Sequence, residues 1–383
     1  MSLSSRYFNI VKKYEGHIKA MVLLMFLLHA SKLNVDIIGI DTESLIRNKS
    51  GLYQSWLNTG RQGLVLLKYL LGNVSYNPWF SAVMTLLVFP LAVFALFLLW
   101  DKVREQQSSI MVWFLGALLW ISHPVITEQL YFSLQSFEIS LGILLTAAAL
   151  YLTFVWTENR YRWWAFIASA CLLLLTFSIY QAFVAFYIFG AVSVLFLQAL
   201  RKFSMGEQKL FSKMAAYMSA WFLVFIAAFI INIVVTKLFF NSSDYLMEQI
   251  QWGTIPVGEV FWRICGHIAS VLLGRSLFYS IFYGGLLVCS MALLAANLWR
   301  FVRNNKTGCI TVCFFYISLQ ITPFLMTLLQ GGEPVLRSQL VLPAMTGFQA
   351  MLNIWLLKEL GISRSRLSQV LFVCIMLLGF VGG

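Results

Sequence analysis

Charge is scarce in this chain. Only 11% of its 383 residues are Asp, Glu, Lys or Arg, where a soluble domain carries about a quarter. So few charges cannot cover a water-facing surface, and a soluble globular class is excluded. Nucleotide-binding signatures are missing too. There is no P-loop, no Rossmann glycine fingerprint and no soluble nucleotide-binding domain. An enzyme built this way would not draw on a cytosolic nucleotide sugar. The six cysteines (171, 265, 289, 309, 313 and 374) lie almost all in apolar runs. Even Cys309 and Cys313, one helical turn apart, form no metal spacing or disulfide framework. No Asp-x-Asp or His-rich ligand set accompanies the carboxylates, so neither a metal nor a cofactor is expected.

What the chain has in quantity is hydrophobic bulk. Hydrophobic residues make up 60% of it, including 33 Phe, and the mean hydropathy is +0.81. These values define a polytopic membrane protein. Apolar runs of about 17–25 residues predict about eleven transmembrane helices. They fall near 17–37, 79–100, 109–123, 137–157, 163–179, 181–200, 215–239, 277–299, 308–328, 339–357 and 368–383. The first run lacks a small-residue cleavage site, so it is expected to be a retained span. The fold class is therefore all-α, with residues 1–383 as one membrane domain. Two larger extracytoplasmic loops, 38–78 and 240–276, interrupt it.

The net charge of +12 would suggest nucleic acid in a soluble protein. Here basic cytoplasmic loops explain it better. With the N-terminus inside, eighteen of the 27 Lys and Arg fall on the inner segments, and nine of the 15 Asp and Glu fall on the outer half. The expected setting is a bacterial plasma (inner) membrane, with the N-terminus cytoplasmic and the polar work on the extracytoplasmic face.

Four outer segments carry the candidate chemistry. The first, IDTESLIRNKSGLYQSWLNTGRQG (40–63), places Asp41 and Glu43 beyond the first span and ends on Gly60-Arg61. Asp36 lies five residues before Asp41. The stretch after the acids is amphipathic through Trp56, Leu57, Leu64, Leu67, Tyr69, Leu70 and Leu71. A helix there would lie in the membrane interface, over carboxylates suited to general-base work. The second, HPVITEQLYF (123–132), supplies Glu128, and Gln135 follows it. His123 is more simply an interfacial residue than a proton shuttle. The third holds Tyr180-Gln181 in a tight turn between two spans. The fourth, EPVLRSQLVLP (333–343), opens a span with Arg337, whose planar fork suits phosphate oxygens. Arg61, Arg263 and Arg275 compete for that role. Each segment also has a plainer reading as a solvated loop or a snorkelling helix end. The aromatics of 240–276, Tyr245, Trp252 and Trp262 with His267, would anchor that loop at the interface or stack on sugar rings.

In order along the chain, IDTESLIRNKSGLYQSWLNTGRQG, HPVITEQLYF, SIYQAFVAFYI and EPVLRSQLVLP resemble the motifs of the serotype-converting O-antigen glucosyltransferases and their Gram-positive relatives. The first loop departs from that pattern, because Thr42 separates Asp41 from Glu43 where two adjacent acids are expected. The resemblance implies a GT-C type enzyme that moves a sugar, glucose or a related hexose, from a polyprenyl-phosphate donor to a cell-surface glycan. Inversion at the anomeric carbon is implied as well. Asp41 would be the base, with Glu43 as partner or substitute. Arg337 and Arg61 would hold the donor phosphate. Glu128, Gln135, Tyr180, Gln181 and Trp56 would line the sugar and acceptor site. The residues themselves also admit a flippase or transporter of lipid-linked sugars, or a polysaccharide polymerase. A transporter would be expected to show paired repeats and charges at mid-membrane.

Overall fold

The computed structural model describes residues 3–35, 37–158, 162–240, 248–302 and 305–361. Asp36, Tyr245 and the expected span 368–383 lie outside the described residues. Those residues are all-helical, with no sheet.

Ten of the expected spans overlap a helix. Among the described residues, seven helices are long and apolar enough to cross a membrane. Their cores are Lys12–Leu33 in α1 (Leu3–His29, continued by a 3-10 turn), α5 (Pro78–Arg104), α8 (Ser136–Glu158), α10 (Ala182–Ser204), α11 (Leu210–Phe239), α13 (Ile281–Trp299) and the stretch Lys306–Gln330. The last is broken. It comprises α14 (Lys306–Ile321), a 3-10 turn at Thr322–Phe324 and α15 (Leu325–Gln330). Pro323 lacks the N–H that a continuous helix needs. An eighth span arises if α6 (Ile110–Ile121) and α7 (Pro124–Tyr131) are taken together, but they meet at 65°. His123-Pro124 is the cause. His123 caps α7 by accepting the Val125 N–H at 3.2 Å, and Pro124 takes the first helical position. α9 (Trp163–Ile179) is apolar but only 17 residues long. α16 (Val341–Glu359) is nearly all buried.

Burial orders these helices. Among the seven candidate spans α10 is the most enclosed, while α11 keeps Phe222, Leu223, Ile230 and Ile231 exposed along its length. Close approach is bought with small residues, as is usual between membrane helices. A Cβ at Gly347 of α16 would stand 2.6 Å from the Gly116 carbonyl of α6.

The acids lie on a short helix, α2 (Ile40–Arg47), and the stretch expected to be one interfacial helix forms two, α3 (Lys49–Asn58) and α4 (Gln62–Leu70). Gly60, at φ +78°, turns the chain between α3 and α4. Of the expected apolar stripe, Tyr69 and Leu70 are exposed with Leu66, whereas Trp56, Leu64 and Leu67 turn into the bundle and Lys68 is buried beside them. The reason is a partner 70 residues away.

Candidate functional site

Lys68 reaches inward from α4. Its Nζ donates to Glu138 Oε1 and to the Leu134 carbonyl, each at 2.8 Å. The two side chains are 1% and 0% exposed. Asn73 donates to the same carboxylate oxygen at 3.1 Å. Glu138 occupies the first turn of α8, where the helix dipole favours a negative charge. A second buried ammonium group approaches from the end of the first span, where Lys32 donates to the Leu130 carbonyl at 2.5 Å. The two lysines therefore fix the segment 130–134. That segment joins Glu128 of α7 to Gln135, the residue before α8.

Beside this fixed segment meet two residues that the sequence singled out separately. Arg337 Nε lies 3.6 Å from Glu128 Oε1, and its guanidinium stacks 4.1 Å from the Phe132 ring centre. Partial burial raises the Glu128 carboxyl above its ordinary range, while the Arg337 charge pulls it back. The loop that presents Arg337 is held from behind. The Tyr279 hydroxyl donates to Glu333 at 2.9 Å, and Gln339 Nε2 donates back to that hydroxyl at 2.9 Å and to the Pro334 carbonyl at 3.1 Å. His267 bridges Tyr279 and Thr327 through its two ring nitrogens, at 3.0 and 2.9 Å. His267 comes from α12 (Val257–Leu273). Its burial lowers its pKa, with Glu333 opposing the shift.

α2 abuts the same place. A Cβ at its cap residue Gly39 would lie 3.7 Å from the Phe132 ring. Asp41 and Glu43 follow in the first turn of α2. Asp41 is half-exposed and has no hydrogen bond or ion pair among the described residues. Glu43 is exposed and faces Arg47 at 3.9 Å.

A second cluster forms where α4 meets the α9–α10 turn. Tyr180 ends α9 and Gln181 caps α10. The Arg61 guanidinium lies 5.2 Å from the Tyr180 ring centre, and Gln181 donates to the Thr59 carbonyl at 2.5 Å. Gln62 ties this turn to α11 through Asn232 at 2.9 Å. Close packing holds the corner, since a Cβ at Gly63 would meet the Ser178 hydroxyl at 2.3 Å. Trp56 is almost wholly buried. Its ring stacks on Tyr53 at 5.4 Å and lies 6.0 Å from the Lys68 ammonium.

Four residues singled out from sequence, Arg61, Glu128, Gln135 and Gln181, each carry a buried polar atom with no hydrogen-bond partner. These atoms are Arg61 Nε, Glu128 Oε2, Gln135 Nε2 and Gln181 Oε1. Buried polar atoms are nearly always bonded. The four belong to a set of fifteen such atoms among the described residues, and Gln62 Oε1 and Glu138 Oε2 are two more beside them. Among the described residues, no group of three or more His, Cys, Asp or Glu could hold a metal. His123 is buried with its pKa pushed down to about 3, so it is neutral at physiological pH and serves as a helix cap.

Sequence reasoning missed Lys68, Phe132, Tyr279 and Gln339. Lys68 alone left a local trace, as the one charge in GLVLLKYLL.

The structure is a helical bundle with several helices long and apolar enough to cross a membrane, and it gathers acidic, basic and amide groups at the ends of its helices. The chain belongs to the Glucosyl transferase GtrII family, which it matches over residues 24–354. It is a glycosyltransferase of that family. A comparison with curated proteins finds no match, and neither does a comparison with solved structures.

Proposed function

We propose that the protein transfers a hexose, glucose or a close relative, from a polyprenyl-phosphate donor to a cell-surface glycan such as O-antigen. The reaction runs on the extracytoplasmic face of a bacterial plasma membrane, with inversion, in a GT-C type arrangement. The observation that carries this reading is the pairing of Arg337 with Glu128 against Phe132, next to the cap of α2, together with the unpartnered second oxygen of Glu128. It fits a ligand rich in hydroxyls.

In this reading Asp41 takes the proton of the acceptor hydroxyl. The oxygen so freed attacks the anomeric carbon from the face opposite the phosphate, and the bond from that carbon to the phosphate oxygen breaks. Inversion follows from this geometry. Glu43 is the partner or substitute base. The negative charge that grows on the departing phosphate is met by Arg337, with Arg61 as second donor. Glu128 holds Arg337 in place before donor arrives and offers its second oxygen to a sugar hydroxyl. Gln135, Tyr180 and Gln181 line the sugar pocket. Trp56 supports Lys68 from within, since its ring is already covered. The exposed apolar residues Leu66, Tyr69 and Leu70 rest in the interface and lay α4 along the membrane surface.

A transporter of lipid-linked sugars is the second reading, favoured by one observation, the buried Lys68–Glu138 pair. That pair is bonded to Asn73 and Leu134 as well, which suits a fixed joint better than a moving charge.

The test is transfer of radiolabelled hexose from its polyprenyl-phosphate ester to purified surface glycan. Arg337→Gln should lower the rate by roughly 10²–10³, the usual effect of losing one charge-stabilising donor. An unchanged rate would remove Arg337 from the reaction. Movement of the intact donor across vesicles without transfer would establish the transporter.

A further inference from the structure

At the end of the bundle opposite Arg337, a cleft of about 780 Å³ opens between α1, α5 and α8. Its position follows from the helix geometry. Leu98 is twenty residues along α5 from Pro78, or about 30 Å at 1.5 Å per residue. α5 packs against both α1 and α8 and forms the floor. The walls are apolar, with Phe94, Ala95 and Leu98 facing Leu144, Ala148 and Tyr151. The alanines leave the room. The volume falls in the range of about 300–1,000 Å³ usual for ligand sites.

One mouth of the cleft is charged, and the accounting there is uneven. Asp101 and Glu105 contribute carboxylates, but both are committed. Asp101 accepts from the Ser108 hydroxyl at 2.6 Å, the Ser108 amide at 2.9 Å and the Trp113 indole at 3.0 Å. Glu105 is paired with Arg201 at 2.6 Å. The two lysines at the mouth, Lys13 and Lys102, are exposed and have no carboxylate partner among the described residues. The Lys13 ammonium lies 5.5 Å from the Tyr14 ring centre. The mouth thus presents two exposed ammonium groups that form no ion pair among the described residues, above an apolar slot.

We propose that this cleft binds an anionic glycerophospholipid of the leaflet opposite the Arg337 end. One acyl chain lies along the α5 floor, and the phosphate headgroup sits between Lys13 and Lys102. Neither half of the cleft alone explains the other. A soluble anion has no use for the alanine-lined slot, and a neutral lipid has no use for the lysines.

The experiment is native mass spectrometry of the full-length protein titrated with phosphatidylglycerol, or with phosphatidylcholine of the same chains. Inorganic phosphate alone is the headgroup control. Phosphatidylglycerol should be retained on the order of tenfold more tightly, the scale set by two surface lysines facing an anionic lipid. Lys13→Gln with Lys102→Gln should bring the two lipids to parity. Ala148→Phe should weaken both lipids by filling the slot. The lysine variants are at exposed positions, so they keep the test decisive if the Phe variant does not fold. Parity in the unmodified protein would overturn the proposal, as would a preference that survives loss of both lysines. Displacement of phosphatidylglycerol by an equal concentration of inorganic phosphate would show an anion site without a lipid chain. Polyprenyl phosphate outcompeting phosphatidylglycerol would instead give the cleft to the donor.

Discussion

Removing the Lys68 ammonium would strand a carboxylate in the interior. Glu138 is 0% exposed, and one of its oxygens already lacks a partner. With Lys68→Met, its other oxygen keeps only the Asn73 amide, and the Leu134 carbonyl loses its donor as well. Breaking a buried pair from one side costs about 3–5 kcal/mol, because the remaining charge is uncompensated. Replacing both partners with apolar groups is often near neutral. The structure therefore predicts a strongly coupled cycle. Lys68→Met and Glu138→Leu should each destabilise by about 3–5 kcal/mol, and the double variant should recover most of that loss. Denaturant unfolding of the protein in detergent micelles, followed by tryptophan fluorescence, measures each arm. Trp56 lies against this pair and is well placed to report on it. Additive losses in the double variant, or single variants as stable as the parent, would refute the idea that this pair joins α4 to α8.

Other expectations follow from the same geometry. Arg337→Lys should recover only part of the transfer lost in Arg337→Gln, since an ammonium keeps the charge but not the two-pronged geometry; equal rates for the Lys variant and the parent would contradict the phosphate role. Tyr279→Phe removes the hydroxyl shared by Glu333, Gln339 and His267. It should cost about 1–3 kcal/mol of stability and lower transfer by loosening the Arg337 loop, with unfolding and rate measured on the same sample. His123→Asn keeps a side-chain acceptor at the α7 cap. It should leave the pH profile of transfer unchanged, because a group titrating near pH 3 carries no proton at neutral pH; a shifted profile would make His123 a participant. Gly347→Ala places a methyl 2.6 Å from the Gly116 carbonyl and should destabilise by about 1–3 kcal/mol in the same unfolding assay.

The helices were legible because lipid imposes a length, and a run such as Ser136–Glu158 has no other economical use. Their breaks were partly legible. His123-Pro124 announced its bend, and Tyr180-Gln181 sits in the tight turn its spacing implied. The split of α3 from α4 was not, because it depends on one positive φ at Gly60 that composition does not reveal. Four candidate residues, Arg61, Glu128, Gln135 and Gln181, could be picked from polarity, since a polar side chain between spans stands out in so apolar a chain. Their partners could not. Lys68 and Glu138 are 70 positions apart, and Tyr279 and Gln339 are 60 apart. Nothing local in either sequence neighbourhood records the other. The amphipathic pattern around Lys68 gives no hint of its burial, because periodicity counts apolar positions and cannot see a buried carboxylate waiting for an ammonium group.

The central claim rests on the carboxylates of α2. The direct measurement is hexose transfer from polyprenyl-phosphate donor to surface glycan by Asp41→Asn and Glu43→Gln, with donor binding measured in parallel. Loss of a general base lowers the rate by about 10²–10⁴. The account predicts that loss for Asp41→Asn, with donor binding intact and a smaller effect for Glu43→Gln. Both variants transferring at the parent rate would contradict it and make α2 a solvated connector.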